Sequence, residues 1–306
     1  MKQEEQRKLS MSKSLQAAVR DSVLRAFVLQ PLAVRRWLMS HFQRPLLKLL
    51  FSLNSEEITL SPVGLPPHRF RMWLNWQGSL DYALALYEPR AMQGIRRLVN
   101  AGDCCIDVGA NLGYYTISLA NWVGPRGLVV AFEPFPGNFA ILKKNVHLNG
   151  LHNVTLEPAA LSNRSGSVQL ICGVEDQFSP TPSVGGYAVE QDRVSVNVPS
   201  RRLDDYAAGM GKTPNLIKID VEGAELAVLE GARHTLAAAR PILLVEIHGW
   251  GTNESEKVLQ VLSEFDYDTH VVEKKGRERV VLCTSRQPTP STALSPKETR
   301  SRVAEL

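Results

Sequence analysis

The sequence predicts an α/β fold: a doubly wound, Rossmann-like sheet preceded by an N-terminal helical extension. Helical patterns separate a series of short apolar runs, which indicates βαβ units. A glycine-rich turn follows the first run. The runs themselves are typical of parallel strands buried on both faces. They lie at Cys104–Val108, Leu128–Phe132, Leu216–Ile219 and Ile242–Ile247.

The composition excludes several classes of protein. Of the 306 residues, 44% are apolar and 22% are charged, which is typical of a globular chain and neither disordered nor polytopic. No apolar run approaches the ~18 residues that cross a bilayer, and the opening residues lack the pattern of a secretory signal. The four cysteines show no metal-ligand spacing, so we expect reduced, buried thiols and a cytoplasmic protein.

The first 53 residues carry the positive charge of the chain. They hold ten Lys/Arg and three Asp/Glu, a net of +7, whereas the remainder has a net of −3. The body is therefore not expected to bind nucleic acid. Leu15, Val19, Val23 and Phe27 form an amphipathic stripe, which predicts a helix up to Pro31. Such helices pack on the body, pair two subunits in a homodimer or lie on a membrane surface, and the first two readings are favoured.

The remaining elements divide the chain into three parts. We expect the basic helical extension over residues 1–77, with strand-like pieces in 55–77, and one α/β domain over 78–284. Glycines and prolines at 163–200 predict a hairpin or flap inserted in that domain, and the polar residues 285–306 predict a disordered tail. Residues 79–99 read as a helix interrupted near Pro89. The later helices are predicted at Tyr114–Val123, Pro136–Asn149, Gly223–Ala239 and Asn253–Glu264, the last with Asn253 and Glu256 at capping-box spacing.

The turn after the first strand has the features of a nucleoside-binding loop. The sequence Asp107-x-Gly109-x-x-x-Gly113 joins a strand to a helix, and glycine permits a sharp turn and close approach of a ligand. Glu133 ends the second strand 24 residues after Gly109, where an acid accepts hydrogen bonds from a ribose diol. Together these positions predict a cofactor that contains a nucleoside.

The glycine spacing indicates which cofactor this is. The loop reads GANLG and lacks the second glycine of the nicotinamide fingerprint G-x-G-x-x-G, which disfavours an oxidoreductase. Asp107 would crowd a pyrophosphate, but its charge suits the ammonium group of S-adenosylmethionine. We therefore predict S-adenosylmethionine.

Six segments over residues 80–284 resemble the FkbM family of S-adenosylmethionine-dependent methyltransferases. They are Cys105–Tyr115, Ala131–Pro136, Asn145–Gly150, Ala160-Leu161, Lys218–Leu226 (KIDVEGAEL) and Val245–His248. The resemblance implies a class I methyltransferase sheet and an enzyme that O-methylates a sugar, glycan or polyketide-type natural product. It implies cofactor contacts from Asp107, Gly109, Asn111 and Gly113, ribose contact from Glu133, and an adenine pocket near Asn138, Ala160 and Leu161. It also suggests that Tyr87-Glu88-Pro89 closes over the methionine end.

Four polar side chains at the ends of later strands are the candidate catalytic residues. Because ligands bind beyond the carboxyl ends of parallel strands, we expect Asp220, Glu222, Glu246 and His248 to converge on one pocket. An alcohol acceptor must lose a proton, so Asp220 is the favoured base and His248 the alternative. The same groups could hold a divalent metal, which we do not predict. Glu225 is expected to face solvent or a neighbouring lysine on its helix.

Two other functions remain open at this stage. An N-methyltransferase is disfavoured because Asp220-Val221-Glu222-Gly223 replaces an amide-clamping motif after Ile219. A non-catalytic S-adenosylmethionine-binding module would be expected to have lost its polar strand ends, and this chain retains them.

Overall fold

The computed structural model describes residues 57–63, 70–75, 85–173 and 193–286, and single positions at 22, 26, 30, 33, 34 and 82. It divides the chain into two compact units, residues 1–87 and 88–306. Apart from the single positions at 22, 26, 30, 33 and 34, four of them helical, the predicted basic helices lie outside the described residues, as does the tail beyond 286. Their proposed roles stay predictions. Within the described part of the chain, no helix combines the length and apolar character needed to cross a bilayer.

The first unit contains an antiparallel hairpin of two strands, β1 (Glu57–Val63) and β2 (Phe70–Asn75). The strand-like pieces predicted in 55–77 are thus confirmed, and a wholly helical extension over 1–77 is wrong for these residues. The reason is the alternation of apolar residues such as Ile58 and Leu60, which has the period of a strand and not of a helix.

The second unit is built on a seven-stranded sheet with the order β11-β12-β10-β9-β3-β4-β5. Five neighbouring strands are parallel, whereas β12 is antiparallel to both β10 and β11. The strands are β3 (Cys104–Val108), β4 (Leu128–Phe132), β5 (Val154–Glu157), β9 (Leu216–Ile219), β10 (Ile242–Ile247), β11 (Tyr267–Lys275) and β12 (Glu278–Ser285). The predicted doubly wound α/β class and its four parallel strands are confirmed.

Helices and a second, three-stranded sheet surround this sheet. The small sheet has the order β6-β8-β7, from β6 (Ala160–Leu161), β7 (Gly166–Gly173) and β8 (Arg193–Arg201). The antiparallel pair β7–β8 is the hairpin predicted over 163–200, and residues 174–192 lie outside the description. The helices are α1 (Pro89–Leu98), α2 (Tyr114–Val123), α3 (Pro136–Leu148), α4 (Leu203–Ala208), α5 (Glu225–Glu230), α6 (Arg233–Ala239) and α7 (Asn253–Glu264).

Two helix predictions need correction. The single helix predicted at Gly223–Ala239 is instead two helices, α5 and α6, which are separated at Gly231. The Gly231 carbonyl accepts a hydrogen bond from the Asp204 amide. A Cβ atom at Gly231 would lie 2.0 Å from the Ser162 carbonyl oxygen, so a close backbone contact requires the glycine. The cap of α7 is Thr252, whose hydroxyl accepts from the Ser255 amide, and not Asn253.

The order of strands creates one topological switch point. From β3 the chain moves outward through β4 and β5, and it later returns to place β9 and then β10 on the other side of β3. The connections that follow β3 and β9 therefore diverge at the carboxyl ends of these two strands. Doubly wound sheets bind their ligands at such a point. Asp107 of β3 pairs in register with Lys218 of β9 at this point.

Candidate active site

The loop between β3 and α2 has a left-handed backbone at three predicted cofactor residues. The φ angles are 76° at Gly109, 51° at Asn111 and 97° at Gly113. A Cβ atom at Gly109 would lie 1.8 Å from the backbone carbonyl oxygen of Asp220. Glycine is therefore required here because the loop packs directly on the residue that follows β9. From the sequence, the glycine at position 109 was expected to make room for the cofactor.

Glu133 connects the end of β4 to the glycine loop. Its side chain is buried, one carboxylate oxygen accepts the Asn111 amide at 2.8 Å, and the other accepts the Phe135 amide at 2.9 Å. Burial raises the pKa of Glu133 to about 7, although both backbone hydrogen bonds oppose this shift. Each oxygen keeps a second lone pair, so Glu133 can hold the loop and still accept from a ligand hydroxyl.

Asp107 is fully buried and is engaged by the protein itself. Its Oδ2 accepts a hydrogen bond from Thr116 at 2.6 Å, and its Oδ1 makes no hydrogen bond but lies 3.5 Å from the Lys218 ammonium. The cation that faces Asp107 is thus a lysine of this chain. From the sequence, the ammonium group of S-adenosylmethionine was expected in this place. Lys218 was not singled out by its sequence position.

The three residues assigned to the adenine side lie in different surroundings. Asn138 is buried in the first turn of α3, and Ala160 packs on the cluster that contains Phe135. Leu161 belongs instead to the main hydrophobic core with Phe132 and Leu203. Ala160 and Phe135 therefore pack in one apolar cluster, from which the Phe135 amide donates to Glu133, whereas Leu161 packs in the main core.

The four candidate catalytic side chains lie close together, as their positions at strand ends predicted. The ligand-type atoms of Asp220, Glu222 and His248 fall within 4.8 Å of one another, and so do those of Glu88, Asp220 and Glu246. Glu88 precedes α1 and enters the site from a part of the sequence that had been considered only as a closing element. The catalytic roles of these residues stay predictions.

His248 is held between two carboxylates. Its Nδ1 lies 2.8 Å from Glu225 Oε1 and its Nε2 lies 3.2 Å from Glu222 Oε2. Because an ionised carboxylate only accepts hydrogen bonds, this arrangement favours a ring that is protonated on both nitrogens. Burial opposes the charge, but the two carboxylates raise the pKa of His248 to about 11. His248 is therefore not available as a base, and the prediction that Glu225 faces solvent is wrong because its side chain is 4% exposed.

The charge of His248 leads to a spectroscopic prediction. A folded pKa of about 11, against about 6.5 for an unperturbed histidine, means that the stabilisation is complete below ~6.5 and disappears as the pH rises through ~11. The ring carbon and proton resonances of His248 should stay at imidazolium positions from pH 6 to pH 9. Nuclear magnetic resonance checks this, with His248→Asn identifying the signals. A midpoint below pH 8 would contradict the two-carboxylate arrangement.

Asp220 carries a negative charge at neutral pH. Its Oδ2 lies 3.3 Å from the Lys218 ammonium, and its side chain is 13% exposed. Burial alone would raise the pKa of Asp220, but the charges of Lys218, His248 and Lys275 outweigh burial and hold the pKa below its ordinary value. An ionised carboxylate with part of its surface accessible is the form that can accept a proton from a ligand.

Glu246 takes part in a separate network that sequence reasoning missed. Lys275 of β11 donates to Glu246 at 3.0 Å and also to Glu88, which in turn accepts from the Tyr115 hydroxyl. Burial, together with the charges of Asp220 and Glu88, raises the pKa of Glu246 well above its ordinary value. Glu246 therefore tends to keep a proton, in contrast to Asp220.

Comparison with known proteins places the chain in one family. The model of the methyltransferase FkbM domain matches residues 107–269, which is more than half of the chain. The chain belongs to the FkbM methyltransferase family. The matched region begins at Asp107 in β3, includes all four candidate catalytic residues and ends in β11.

Individual relatives of this FkbM domain are distant. Methyltransferase 1 of Beauveria bassiana is 29% identical over 145 residues, which are 41% of this chain and 57% of that protein. The hexuronic acid methyltransferase AglP of Haloferax volcanii is 29% identical over 210 residues, which are 67% of this chain and 81% of that protein. The chain thus spans less than two thirds of the Beauveria protein. A solved FkbM methyltransferase from Methylobacillus flagellatus has 17% identity and a TM-score of 0.43, covering 67% of this chain and 52% of that one.

In two of the three groups of side chains that could hold a metal ion, neighbouring side chains already engage the ligand atoms. In the group of Glu88, Asp220 and Glu246, the Lys275 ammonium contacts two of the three carboxylates. In the group of Asp220, Glu222 and His248, the two ring nitrogens lie 3.2 Å and 2.8 Å from Glu222 and Glu225, whereas a metal needs a nitrogen lone pair. These side chains satisfy one another through hydrogen bonds between opposite charges.

Proposed function

We propose that this chain is an S-adenosylmethionine-dependent methyltransferase that acts on a hydroxyl oxygen. The observation that carries the proposal is the direct contact between the two halves of the site. The glycine loop packs on the backbone of Asp220, so the candidate cofactor loop and an ionised, partly exposed carboxylate are neighbours. A methyl donor bound by the loop would lie next to a base, which is what oxygen methylation requires.

The residues around the loop fit a cofactor with a nucleoside. Glu133 is buried at the end of β4 with lone pairs left for a ribose diol. Phe135 and Ala160 provide apolar side chains beside it for an adenine ring, with Asn138 in the first turn of α3. S-adenosylmethionine, when bound, supplies a methyl group attached to a positively charged sulfur. The carboxylates of Asp220 and Glu222 favour a cation in this place.

Each polar side chain then has a distinct role. Asp220 accepts the proton of the acceptor hydroxyl at its exposed carboxylate oxygen. His248 stays charged and fixes the turn of Glu222 and Glu225, which includes the left-handed residue Glu222 with φ 54°. Glu246, held by Lys275, keeps its proton and can donate a hydrogen bond to an acceptor oxygen.

We propose a sugar or glycan hydroxyl as the acceptor. The support is the name of the Haloferax volcanii relative, a hexuronic acid methyltransferase, together with the several carboxylates at the strand ends, which suit the hydroxyl donors of a sugar. Acceptor binding would involve side chains on β10 and β11, because Glu246 and Lys275 lie there. A polyketide-type alcohol remains the alternative within the same reaction.

Calorimetric titration tests the cofactor assignment. We expect the wild type to bind S-adenosylmethionine and not NADH, and we expect Glu133→Gln to weaken binding by ~1–3 kcal/mol through loss of charge-assisted hydrogen bonds. Part of this loss would come from weakening of the hydrogen bonds that the Asn111 and Phe135 amides donate to Glu133. Glu230→Gln, at an exposed residue that bonds Asn163, is the control and should bind as the wild type does. Binding of NADH in place of S-adenosylmethionine would refute the assignment.

A further inference from the structure

Lys218 is a buried cation at the switch point of the sheet. Its side chain is 5% exposed, and its ammonium group donates to the Gly109 carbonyl oxygen at 2.8 Å. The same group lies 3.3 Å from Asp220 and 3.5 Å from Asp107. It also lies 5.3 Å from the centre of the Tyr115 ring. One ammonium group therefore contacts the glycine loop, the end of β3 and the end of β9.

Burying a lysine charge is costly unless hydrogen bonds and opposite charges compensate it. Burial works against the charge, but Asp220, Asp107 and Glu88 outweigh it and raise the pKa of Lys218 above its ordinary range. The ammonium group donates to the Gly109 carbonyl oxygen and lies within 3.5 Å of one oxygen of each carboxylate. The compensation is complete only when the loop carbonyl and both carboxylates are in their present places, so each of them fixes the others.

We propose that Lys218 is a positioning residue that holds the glycine loop in its binding conformation and keeps the Asp220 carboxylate ionised beside it. This role rests on the proposed function, because the loop and Asp220 are there assigned to cofactor and acceptor. Lys218 touches neither the reacting oxygen nor the methyl group. Its contribution is to join the cofactor half of the site to the carboxylate half through one charge.

Other charged groups also face Asp220, and they influence how far its titration shifts when Lys218 is replaced. His248 of β10 and Lys275 of β11 stabilise its ionised form, whereas Glu246 of β10 disfavours it. Glu88 before α1 and Glu222 after β9 complete the surroundings. Lys218 lies two residues before Asp220. Of the three cations, it contributes most to lowering the pKa of Asp220. Its loss should therefore shift the titration of Asp220 even though His248 and Lys275 remain.

The test uses the full chain with two substitutions. Lys218→Met alone would leave Asp107 buried without its cation, so it is combined with Asp107→Asn, and Asp107→Asn alone is the reference. Lys212→Met is the matched control, because Lys212 also donates to a backbone carbonyl, that of Arg126, at 2.9 Å on the exposed surface. Should the methionine variant not fold, Lys218→Gln with Asp107→Asn gives the same test with a polar group in the same space.

Two measurements on the free protein decide the outcome without any ligand. We expect the amides of residues 109–113 to exchange at least ~10-fold faster in the double variant than in Asp107→Asn, because the loop loses the Lys218 donor. We also expect the carboxyl carbon resonance of Asp220, assigned with Asp220→Asn, to titrate at least about one pH unit higher. Lys218→Arg, which keeps the charge, should leave the Asp220 titration near the wild-type position.

The third measurement is the affinity for S-adenosylmethionine, which should fall at least ~10-fold in the double variant. Unchanged loop exchange and unchanged Asp220 titration in a folded double variant would overturn the role of Lys218. A wild type that does not bind S-adenosylmethionine would overturn the proposed function instead, and the two measurements on the free protein would still judge Lys218.

Discussion

Replacing Asp220 with asparagine should lower the rate of methyl transfer at least ~10²-fold and leave the affinity for S-adenosylmethionine within a few-fold of the wild type. Asparagine keeps the shape of the side chain but cannot accept a proton from an alcohol. The fold should survive, because Lys218 retains Asp107 and the Gly109 carbonyl as partners. Release of S-adenosylhomocysteine measures the rate, with the best acceptor from a panel of methyl glycosides.

Asp205→Asn is a suitable control for this change. Asp205 lies in α4 with a side chain that is 54% exposed, and it pairs with Arg202 away from the strand ends. Its variant should keep the wild-type rate. If Asp220→Asn retained near-normal turnover, Asp220 would be structural. His248 would be a poor replacement as the base, because its two neighbouring carboxylates raise its pKa and favour the protonated ring.

Replacing Gly109 with alanine should destabilise the protein by ~2–5 kcal/mol and weaken cofactor binding at least ~10²-fold. The added Cβ atom would lie 1.8 Å from the Asp220 carbonyl oxygen, and overpacking of this kind costs ~1–3 kcal/mol. The left-handed backbone, with φ 76°, adds about 1–2 kcal/mol for any residue with a Cβ atom. Relief of the contact requires the loop and Asp220 to move apart. Urea unfolding and calorimetric titration measure the two effects.

Gly150→Ala separates backbone strain from the close contact. Gly150 also has a positive φ, 61°, but no atom lies within 4 Å of the position of its Cβ. This variant should lose only about 1–2 kcal/mol of stability and should bind the cofactor normally. An equal loss of stability in the two variants would mean that the contact with Asp220 contributes nothing.

The sequence by itself was sufficient to predict the centre of the sheet. The strands at Cys104–Val108 and Leu128–Phe132 were predicted to the residue, because strands buried on both faces are continuous apolar runs with clear ends. The edge strand β11 was missed for the opposite reason. β11 carries exposed residues such as His270 and Val271 between buried ones, so its pattern has no continuous apolar run.

Local sequence also predicted which residues would be near the site, but not what they would contact. Asp107, Glu133, Asp220 and His248 were found because each ends or follows an apolar run, and the ends of parallel strands share one edge of the sheet. Several of the hydrogen bonds of the site join residues that are far apart in sequence. Asn111 is 22 residues from Glu133, and Lys275 is 29 residues from Glu246.

Only the tertiary structure decided the charge states on which the chemistry depends. In the sequence, His248 was a candidate base and Glu225 a surface residue, whereas the nearby carboxylates of Glu222 and Glu225 raise the pKa of His248 and favour its charged form. In the sequence, Lys218 was only part of a segment that resembles the family. In the structure it lies in register opposite Asp107, and its ammonium group lies near three oxygens. The physical reason is that the spacing of apolar residues along the chain encodes secondary structure. A pKa depends instead on burial and on charges within a few ångströms, which only the folded chain brings together.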